Sequence, residues 1–587
     1  MKAIDNSSRD TAIAKNVIRG VNQKWLIYDY DVKNMAFHRD NIDFLKSDVL
    51  LGYFYKNKIY ETDQIKAFFS KINYVEEFSK VHFVDKAAQI LYNAIINKKY
   101  ILIFSDYDVD GINSATYMAK FLDSIGYVID FDFTVLMNER RYGYDINSYA
   151  FERMKEHDRA LIIVLDSGTS ACYQITKLLH AGNDVIVIDH HEPSKDCFIQ
   201  AIASEYPNFA IVNPKAGSDV SYYDSSPTAV LVYYFLEHFC SKHPILSMNF
   251  ESEKYLDIFS TPIISDYMRW NAVNKSLIDI LYNAFETKNV NNLYKRIIKD
   301  SIISVESFHK ELSFRLVPML NAMGRYNEAE EAFSMMYGTI ASDSYDIERA
   351  YSKLETVNNK RKLEQSEYKE KINTFIKNKY RGNIPNFVII NLPHIDRGLL
   401  SNLAGSVANQ IGRPIFLVTL IDGKWEGSGR APRHLDGFLD ILRHNIPDQA
   451  LRVNGHQSAF GVSIKNTDEQ YLLDLEKRIS DVLEPYKAVL DPNANELDGE
   501  IKNAKDVRDI MDNIHLFVPA NHQNKPAYMI SNYRLNNNQI IIDGEKYPYY
   551  MENYRVYLNS EQDMSLIVRP TLINGTPGFV VIDSVIR

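Results

Sequence analysis

Three apolar runs, each ending in a short motif of carboxylates or imidazoles, constrain this chain more than any other feature. Tyr100–Phe104 (YILIF) runs into SDYDVDG, Leu161–Leu165 (LIIVL) into DSG, and Val185–Ile188 (VIVI) into DHH. Short unbroken apolar runs of this kind read as strands buried on both faces. A further run, Ala210–Val212, leads into NP. Helical patterns separate them: Ala88, Leu91, Ala94 and Ile95 form an apolar face before the first strand, and TYMAKFLDSIG follows it. Strands alternating with helices predict a parallel α/β sheet, whose ligands bind beyond the carboxyl ends of the strands. Three successive strands would therefore bring acidic and imidazole side chains to one edge.

The remainder is organised differently. At roughly 150 residues per domain, a chain of 587 residues holds about three or four domains. Over 345–378, Ile347, Tyr351, Leu354 and Val357 recur at helical steps, and Tyr368, Ile372 and Phe375 resume the phase. Polar Arg361 and Gln365 interrupt that stripe and Leu363 falls off it, which predicts a solvated middle, with Lys360-Arg361-Lys362 as a solvated face. Such a helix is ~50 Å long and connects two globular patterns. New strands follow at Phe387–Ile390 and Ile415–Leu420, then a glycine-rich basic region ending in NGHQSAFG, and from about 495 alternating segments such as QIIIDG and SLIVRP, which read as a small β domain. Hydrophobic content of 45% and charged content of 24% exclude wholesale disorder. A net charge of −10 argues against coating nucleic acid nonspecifically, though not against a local basic groove. No apolar run is long enough to span a membrane. Cys172, Cys197 and Cys240, an odd set without CxxC spacing, argue against a disulfide scaffold or a cysteine zinc site and favour a reducing cytosol.

Asp106, Asp108 and Asp110 alternate at the end of the first strand, so at least two carboxylates can converge. Close carboxylates repel, and a divalent cation with a taste for hard oxygen, magnesium or manganese, is the usual remedy. Gly111 is expected to let the chain turn into the next helix. Alone, DxDxDG also suits a solvated turn; an EF-hand is excluded because its twelfth position is Tyr117. Asp166, placed at the same edge by its strand, favours the metal reading. Asp189-His190-His191 adds imidazoles, which favour manganese, iron or zinc over calcium, and Asp189 is a candidate to fix one ring.

DYDVDG (106–111), DSG (166–168) and DHH (189–191), in this order and spacing, resemble the DHH phosphoesterase superfamily, and further segments resemble its RecJ branch of single-strand-specific 5′→3′ exonucleases. VDKAAQILYNAIINKKYILIFSDYDVDGINSA is similar to that branch's lead-in. LMNERRYGYDIN is similar to its PxR-plus-GYG segment, AIVNPK to its NPK, and LVPMLNAMGRYNEAEEAF to its PRLNAAGR block. GSGRAP (427–432) and NGHQSAFG (454–461) resemble motifs of the DHH-associated domain, so the likeness covers about 75–485.

The resemblance implies an α/β fold: a parallel-sheet DHH domain joined by a long helix to a smaller α/β DHH-associated domain, with a small C-terminal β domain that the likeness associates with an OB-like barrel. The expected boundaries are 1–80 for an N-terminal extension, 81–340 for the catalytic domain, 341–380 for the connecting helix, 381–490 for the substrate-binding domain and 491–587 for the β domain. It implies two divalent cations, manganese before magnesium, held by Asp106, Asp108, Asp110, Asp166, His190 and Asp266, the last in STPIISD. His191 would contact the scissile phosphate, Asn321 and Arg325 would lie near the substrate backbone, and Ser428, Arg430 and His456 would bind substrate phosphate. Gly427 and Gly429 would shape an anion nest around Arg430 and Arg433. GYG has become GYD and its arginine is displaced, so Arg140 or Arg141 would substitute. For Tyr142, Tyr144 and Tyr326, core packing is the default expectation over base stacking. The implied activity is 5′→3′ hydrolysis of single-stranded DNA in repair, recombination or replication, by a cytoplasmic monomer, bacterial or phage-encoded, with a single-strand-binding protein or helicase as partner and no membrane. The alternatives are a phosphodiesterase of cyclic dinucleotides or short oligoribonucleotides, and a noncatalytic replication scaffold.

Overall fold

The motif-bearing runs are neighbouring strands of one parallel sheet. β1 (Ile101–Ser105), β2 (Phe133–Met137), β3 (Leu161–Leu165), β4 (Asp184–Ile188) and β5 (Phe209–Val212) lie in the order β2-β1-β3-β4-β5, every pair parallel. The computed structural model describes residues 16–19, 24–27, 42, 45, 47–57, 59–70, 72–143, 145–194, 197–217, 221–299, 307–421, 423–432, 435, 437–446, 451–456, 458–487, 490, 494–517, 525–552, 564–573 and 576–586. Tyr144 and Arg433 fall outside these residues, as do the side chains of Asn454 and His456. The chain divides into a parallel-sheet unit (Ala67–Lys362, with Pro519–Gln523) and a mixed-sheet unit (Met1–Lys66, Leu363–Val518 and Asn524–Arg587).

Both faces of the parallel sheet are covered, which is why its strands are unbroken apolar runs. Leu102, Phe104, Ile162, Val164, Val185 and Val187 enter one core, while Ile101, Ile103, Leu161, Ile163, Ile186 and Ile188 enter the other. The edge strand β2 is missing from the sequence reading: its Thr134 and Val135 are only half-buried, so it lacks the signature of its neighbours. The helices of this unit that matter to the site are α1 (Val84–Ile96), α2 (Val109–Ser124), α3 (Ser148–Met154), α4 (Cys172–His180), α5 (Thr228–Lys242) and α6 (Val317–Arg325). α1 buries the predicted Ala88, Leu91, Ala94 and Ile95. α2 begins inside DYDVDG itself, earlier than expected.

The connecting helix is α7 (Ile347–Tyr380). Its first half packs Tyr351, Leu354 and Val357 on the parallel-sheet core, and its second half packs Ile372 and Ile376 on a core of the mixed-sheet unit. Two expectations fail here. Phe375 is 41% exposed, because Ile376 takes the buried position beside Ile372. Arg361 is buried rather than solvated, with Nε and Nη2 donating to Asn358 Oδ1 at 3.0 and 2.8 Å.

In the mixed-sheet unit, β6 (Val388–Asn391), β7 (Ile415–Ile421), β8 (Lys424–Arg430), β9 (Arg452–His456) and β10 (Ala459–Ile464) form a sheet in the order β9-β10-β8-β7-β6, covered in part by α8 (Arg397–Ile411). The C-terminal region has the expected β-character and forms a seven-stranded mixed sheet. Among the described residues, no helix is long and apolar enough to cross a membrane.

Candidate metal centre

β1 and β3 are the strands between which the winding of the sheet reverses direction, so a crevice opens at their carboxyl ends. DYDVDG crosses from β1 into α2 at this point. Asp106 follows the strand, Asp108 is the N-cap of α2 and accepts from the Asp110 and Gly111 amides at 3.0 and 3.3 Å, and Asp110 sits in the first helical turn. Convergence therefore comes from a strand-to-helix turn and not from strand alternation. Gly111 is needed for a different reason than expected: a Cβ there would lie 2.2 Å from the Asp106 carbonyl oxygen, so it permits close approach and not a special turn. Gly324 in α6 plays the same part from the other side, since its Cβ would lie 2.1 Å from the Tyr107 carbonyl.

Each carboxylate is held by named donors. Asn138 Nδ2 donates to Asp106 Oδ1 at 3.0 Å. The Thr228 and Ala229 amides, at the N-terminus of α5, donate to the two oxygens of Asp110 at 2.7 and 2.8 Å, a favourable end of the helix dipole for an anion. Thr228 Oγ1 donates to Asp166 Oδ1 at 3.2 Å. Asp166 adopts φ +56° and is followed by Gly168 at φ +100°. Asp145, a residue that the sequence reading left without a role, accepts the Gly168 amide at 2.7 Å.

The histidines complete the cluster. His190 Nε2 lies 3.4 Å from Asp166 Oδ1 and 3.8 Å from both Asp110 Oδ2 and Asp266 Oδ2. Asp189 orients His191, accepting at 2.7 Å from its Nδ1, and Asp189 also accepts the Thr169, His190 and His191 amides. Burial alone would raise the Asp189 carboxyl and lower the His191 imidazole, but their mutual attraction reverses both: Asp189 lies well below the carboxylate range and His191 above its ordinary value.

The other carboxylates shift the opposite way. Burial first, then the Asp108 charge, pushes Asp106 up to about 8. Burial pushes Asp110 up to about 7 against its amide donors. Asp166 and Asp266 are raised well above the carboxylate range by burial and by their acidic neighbours. Asp106 Oδ2 is buried without a hydrogen-bond partner among the described residues. Ligand atoms lie within 4.8 Å of one another in three overlapping sets: Asp106, Asp108 and Asp166; Asp110, His190 and Asp266; Asp166, His190 and His191. Crowded oxygens plus imidazole, an orphaned carboxylate oxygen and carboxyls that resist ionising are what a divalent-cation site presents before charge compensation.

This chain is similar to several sequenced and solved proteins. The family described as "DHH family, N-terminal domain" matches residues 100–262. The single-stranded-DNA-specific exonuclease RecJ of Bacillus subtilis is 25% identical over 68% of this chain, an alignment spanning 47% of that relative's length. The Escherichia coli protein of the same name is 24% identical over 71% of both chains. The crystal structure of RecJ from Thermus thermophilus in complex with Mn2+ superposes with a TM-score of 0.62 at 17% identity, covering 95% of this chain and 79% of that one. Residues 100–262 thus match the DHH N-terminal domain, in a chain similar to RecJ proteins.

The remaining predicted residues divide. Asn321 reaches the cluster, but as a support: its Oδ1 accepts the Val109 amide at 3.0 Å. Arg325 lies near Tyr107, between Asp106 and Asp108, and Arg140 stacks over the Tyr107 ring at 5.1 Å. Ser428 and Arg430 belong to the mixed-sheet unit. No anion nest forms around them: GSGR runs as regular strand β8, paired on both sides, so its amides are committed to the sheet. The glycines serve packing, since a Cβ on Gly427 or Gly429 would lie 2.0 Å from the Leu417 carbonyl or 2.2 Å from the Phe460 ring. Arg430 is anchored by Ser401 on α8, donating to its hydroxyl and, at 3.2 Å, to its carbonyl.

One disulfide contradicts the cysteine reading. Cys172 at the start of α4 and Cys197 are bonded, with Cα atoms 5.7 Å apart across a separation of 25 residues. They follow the DSG and DHH loops of adjacent strands β3 and β4, a proximity that spacing along the chain does not reveal. Cys240 is a free thiol. Asn138, Asp145, Thr228 and Ser401 were missed altogether. Asn138 and Asp145 lie in the LMNERRYGYDIN segment, and Pro227-Thr228 is a recognisable helix start, but no local signal says which carboxylate each one holds.

Proposed function

We propose that this protein is a metal-dependent exonuclease that hydrolyses phosphodiester bonds of single-stranded DNA from the 5′ end. The observation that carries the reading is the convergence of Asp106, Asp108, Asp110, Asp166, Asp266 and His190 in overlapping ligand sets; the names of the relatives support the substrate. Asp166 and His190 each belong to two of the sets; we assign Asp166 to the position shared between two cations, because a carboxylate offers an oxygen to each, and His190, which presents only Nε2 to the cluster, to one cation beside it. When bound, the cations, manganese before magnesium, would supply Lewis acidity and a template for in-line displacement at phosphorus.

The chain's own groups do the rest. Asp189 fixes the His191 ring through Nδ1 and favours its protonated form, so we assign its Nε2 side to a non-bridging oxygen, where charge builds in the transition state. Asn138, Thr228 and Asn321 hold the acidic loops and act as positioning residues. Arg140 and Arg325, near Tyr107, are assigned to the substrate backbone. Ser428, Arg430 and His456 are assigned to a terminal phosphate, which would set polarity. The domain limits expected from sequence are kept as part of this proposal. A noncatalytic scaffold is disfavoured because no acidic ligand has been lost. Access to DNA puts the working compartment in the cytoplasm, bacterial or of an infected host, where a monomer would receive strands exposed by a helicase or coated by a single-strand-binding protein.

The test is digestion of end-labelled single-stranded DNA and RNA with manganese, with and without a 5′ phosphate, against an EDTA control. Progressive shortening of DNA from the 5′ end is expected. Cleavage confined to cyclic dinucleotides or short RNA would overturn the reading.

A further inference from the structure

The segment joining β2 to α3 carries an aromatic stack that the cluster itself does not use. Tyr142 and Tyr149 lie face to face, with ring centroids 4.2 Å apart and planes 17° from parallel. The Arg141 guanidinium lies 4.8 Å from the Tyr142 ring. Arg153 lies 5.9 Å from the Tyr149 ring, and its Nη1 donates to the Tyr149 hydroxyl at 3.1 Å. Tyr142 is 41% exposed and the Arg141 side chain 57% exposed, so core packing, the expectation for Tyr142, does not explain it.

Hydrogen bonds tie this surface to the acidic loops. Asn138, at the start of the segment, donates to Asp106 and accepts from Asn147 Nδ2 at 2.8 Å. Asp145, in its middle, holds the Gly168 amide at 2.7 Å. The Arg141 amide donates to Asn327 Oδ1 at 3.0 Å. Arg140, two residues before Tyr142, already sits over Tyr107 between the first two carboxylates. The arginine charges are partly met by acids, Glu139 at 2.6 Å from Arg141 Nη2 and Glu330 near Arg153. The stack therefore offers exposed aromatic surface, at Tyr142, more than net charge.

We propose that the Tyr142–Tyr149 stack is a nucleobase platform for the strand nucleotides next to the one being cleaved. This rests on the single-strand nuclease reading above and names the surface that holds the strand's bases. Aromatic faces bind any base, and each base–aromatic stack contributes a sizeable, sequence-tolerant share of single-strand affinity. Tyrosine loses little conformational entropy on binding, and an arginine beside the ring both pre-orders it and favours the neighbouring phosphate.

The experiment measures affinity for a fluorescein-labelled oligothymidylate by anisotropy in EDTA, where no cleavage occurs. A matched strand whose bases are replaced by abasic sites at the 5′ end serves as comparison. Tyr142→Ala is expected to weaken binding of the base-bearing strand by about 5- to 150-fold, to have a much smaller effect on the abasic strand, and to be rescued by Tyr142→Phe. Equal losses on both strands, or failure of the phenylalanine to rescue, would mean a backbone contact or a folding defect and overturn the platform. No loss on either would overturn it too. If wild type binds neither strand nor cuts DNA, the nuclease reading itself fails; if wild type binds and cuts while Tyr142→Ala is indistinguishable from it, the platform alone fails.

Discussion

Asp106→Asn separates the cost of the acidic cluster from its use. Asp106 is buried, and its carboxyl is pushed up to about 8, against ~3.9 in an unfolded chain. Between those values the folded protein binds a proton that the unfolded chain does not, so stability is lost as pH rises through the window of ~4–8. At pH 7 the difference is about 4 kcal/mol if Asp106 bears it alone, and sharing with its acidic neighbours brings the expected figure to about 2–4 kcal/mol. Asparagine keeps the acceptor for Asn138, which donates at 3.0 Å, and cannot ionise. The metal-free variant should therefore be more stable than wild type by that amount at pH 7, with the gain shrinking towards zero near pH 4. Manganese should reverse the order, because wild type would gain a counter-charge and the variant lacks the Asp106 carboxylate that would help to hold it. Urea denaturation in EDTA at pH 5 and pH 7, repeated with manganese, measures all of this. A variant less stable than wild type at pH 7 in EDTA would refute the argument, since it would mean that Asp106 is structurally favourable as an anion.

Asp166→Ala should reduce cleavage of single-stranded DNA to under about a tenth of wild type, while strand binding in EDTA persists; retained turnover would remove Asp166 from the shared position. Gly111→Ala places a methyl carbon 2.2 Å from the Asp106 carbonyl and should cost about 1–3 kcal/mol or more together with measurable manganese affinity; calorimetric titration unchanged from wild type would contradict the close-approach account. Reduction of Cys172–Cys197, which closes a loop of 25 residues, should lower stability by up to about 3 kcal/mol, seen as a fall in Tm that Cys172→Ser both mimics and abolishes. Arg430→Ala should weaken use of 5′-phosphorylated strands by roughly 10- to 150-fold and 5′-hydroxyl strands less, with Ser401→Ala giving a smaller loss of the same kind; equal losses on both substrates would place Arg430 against the strand body.

What the sequence determined by itself is what repeats locally. Unbroken apolar runs fixed β1, β3 and β4, because strands covered on both faces need no polar alternation, and the motifs after them had to emerge at one edge of a parallel sheet. The same logic made α1 and the extent of α7 legible. It failed where burial depends on partners distant in the chain: Arg361 is buried in a helix that reads as solvated, and Phe375 is exposed beside buried Ile376. Residue types also singled out the carboxylates and imidazole that the fold brings together, since few side chains other than Asp and His suit hard cations at such an edge. Only the tertiary structure decided who supports them. Asn138 reaches Asp106 from the next strand, the N-terminus of α5 reaches Asp110 across 118 positions, and Asn321 reaches Val109 across 212. The glycines of DYDVDG, NAMGR and GSGR are required by close approach and not by their own conformation: Gly111 by the Asp106 carbonyl, Gly324 and Gly427 by the Tyr107 and Leu417 carbonyls, and Gly429 by the Phe460 ring. Hydrogen bonds and close contacts depend on distance in space, and folding creates those distances between segments whose sequences carry no trace of one another.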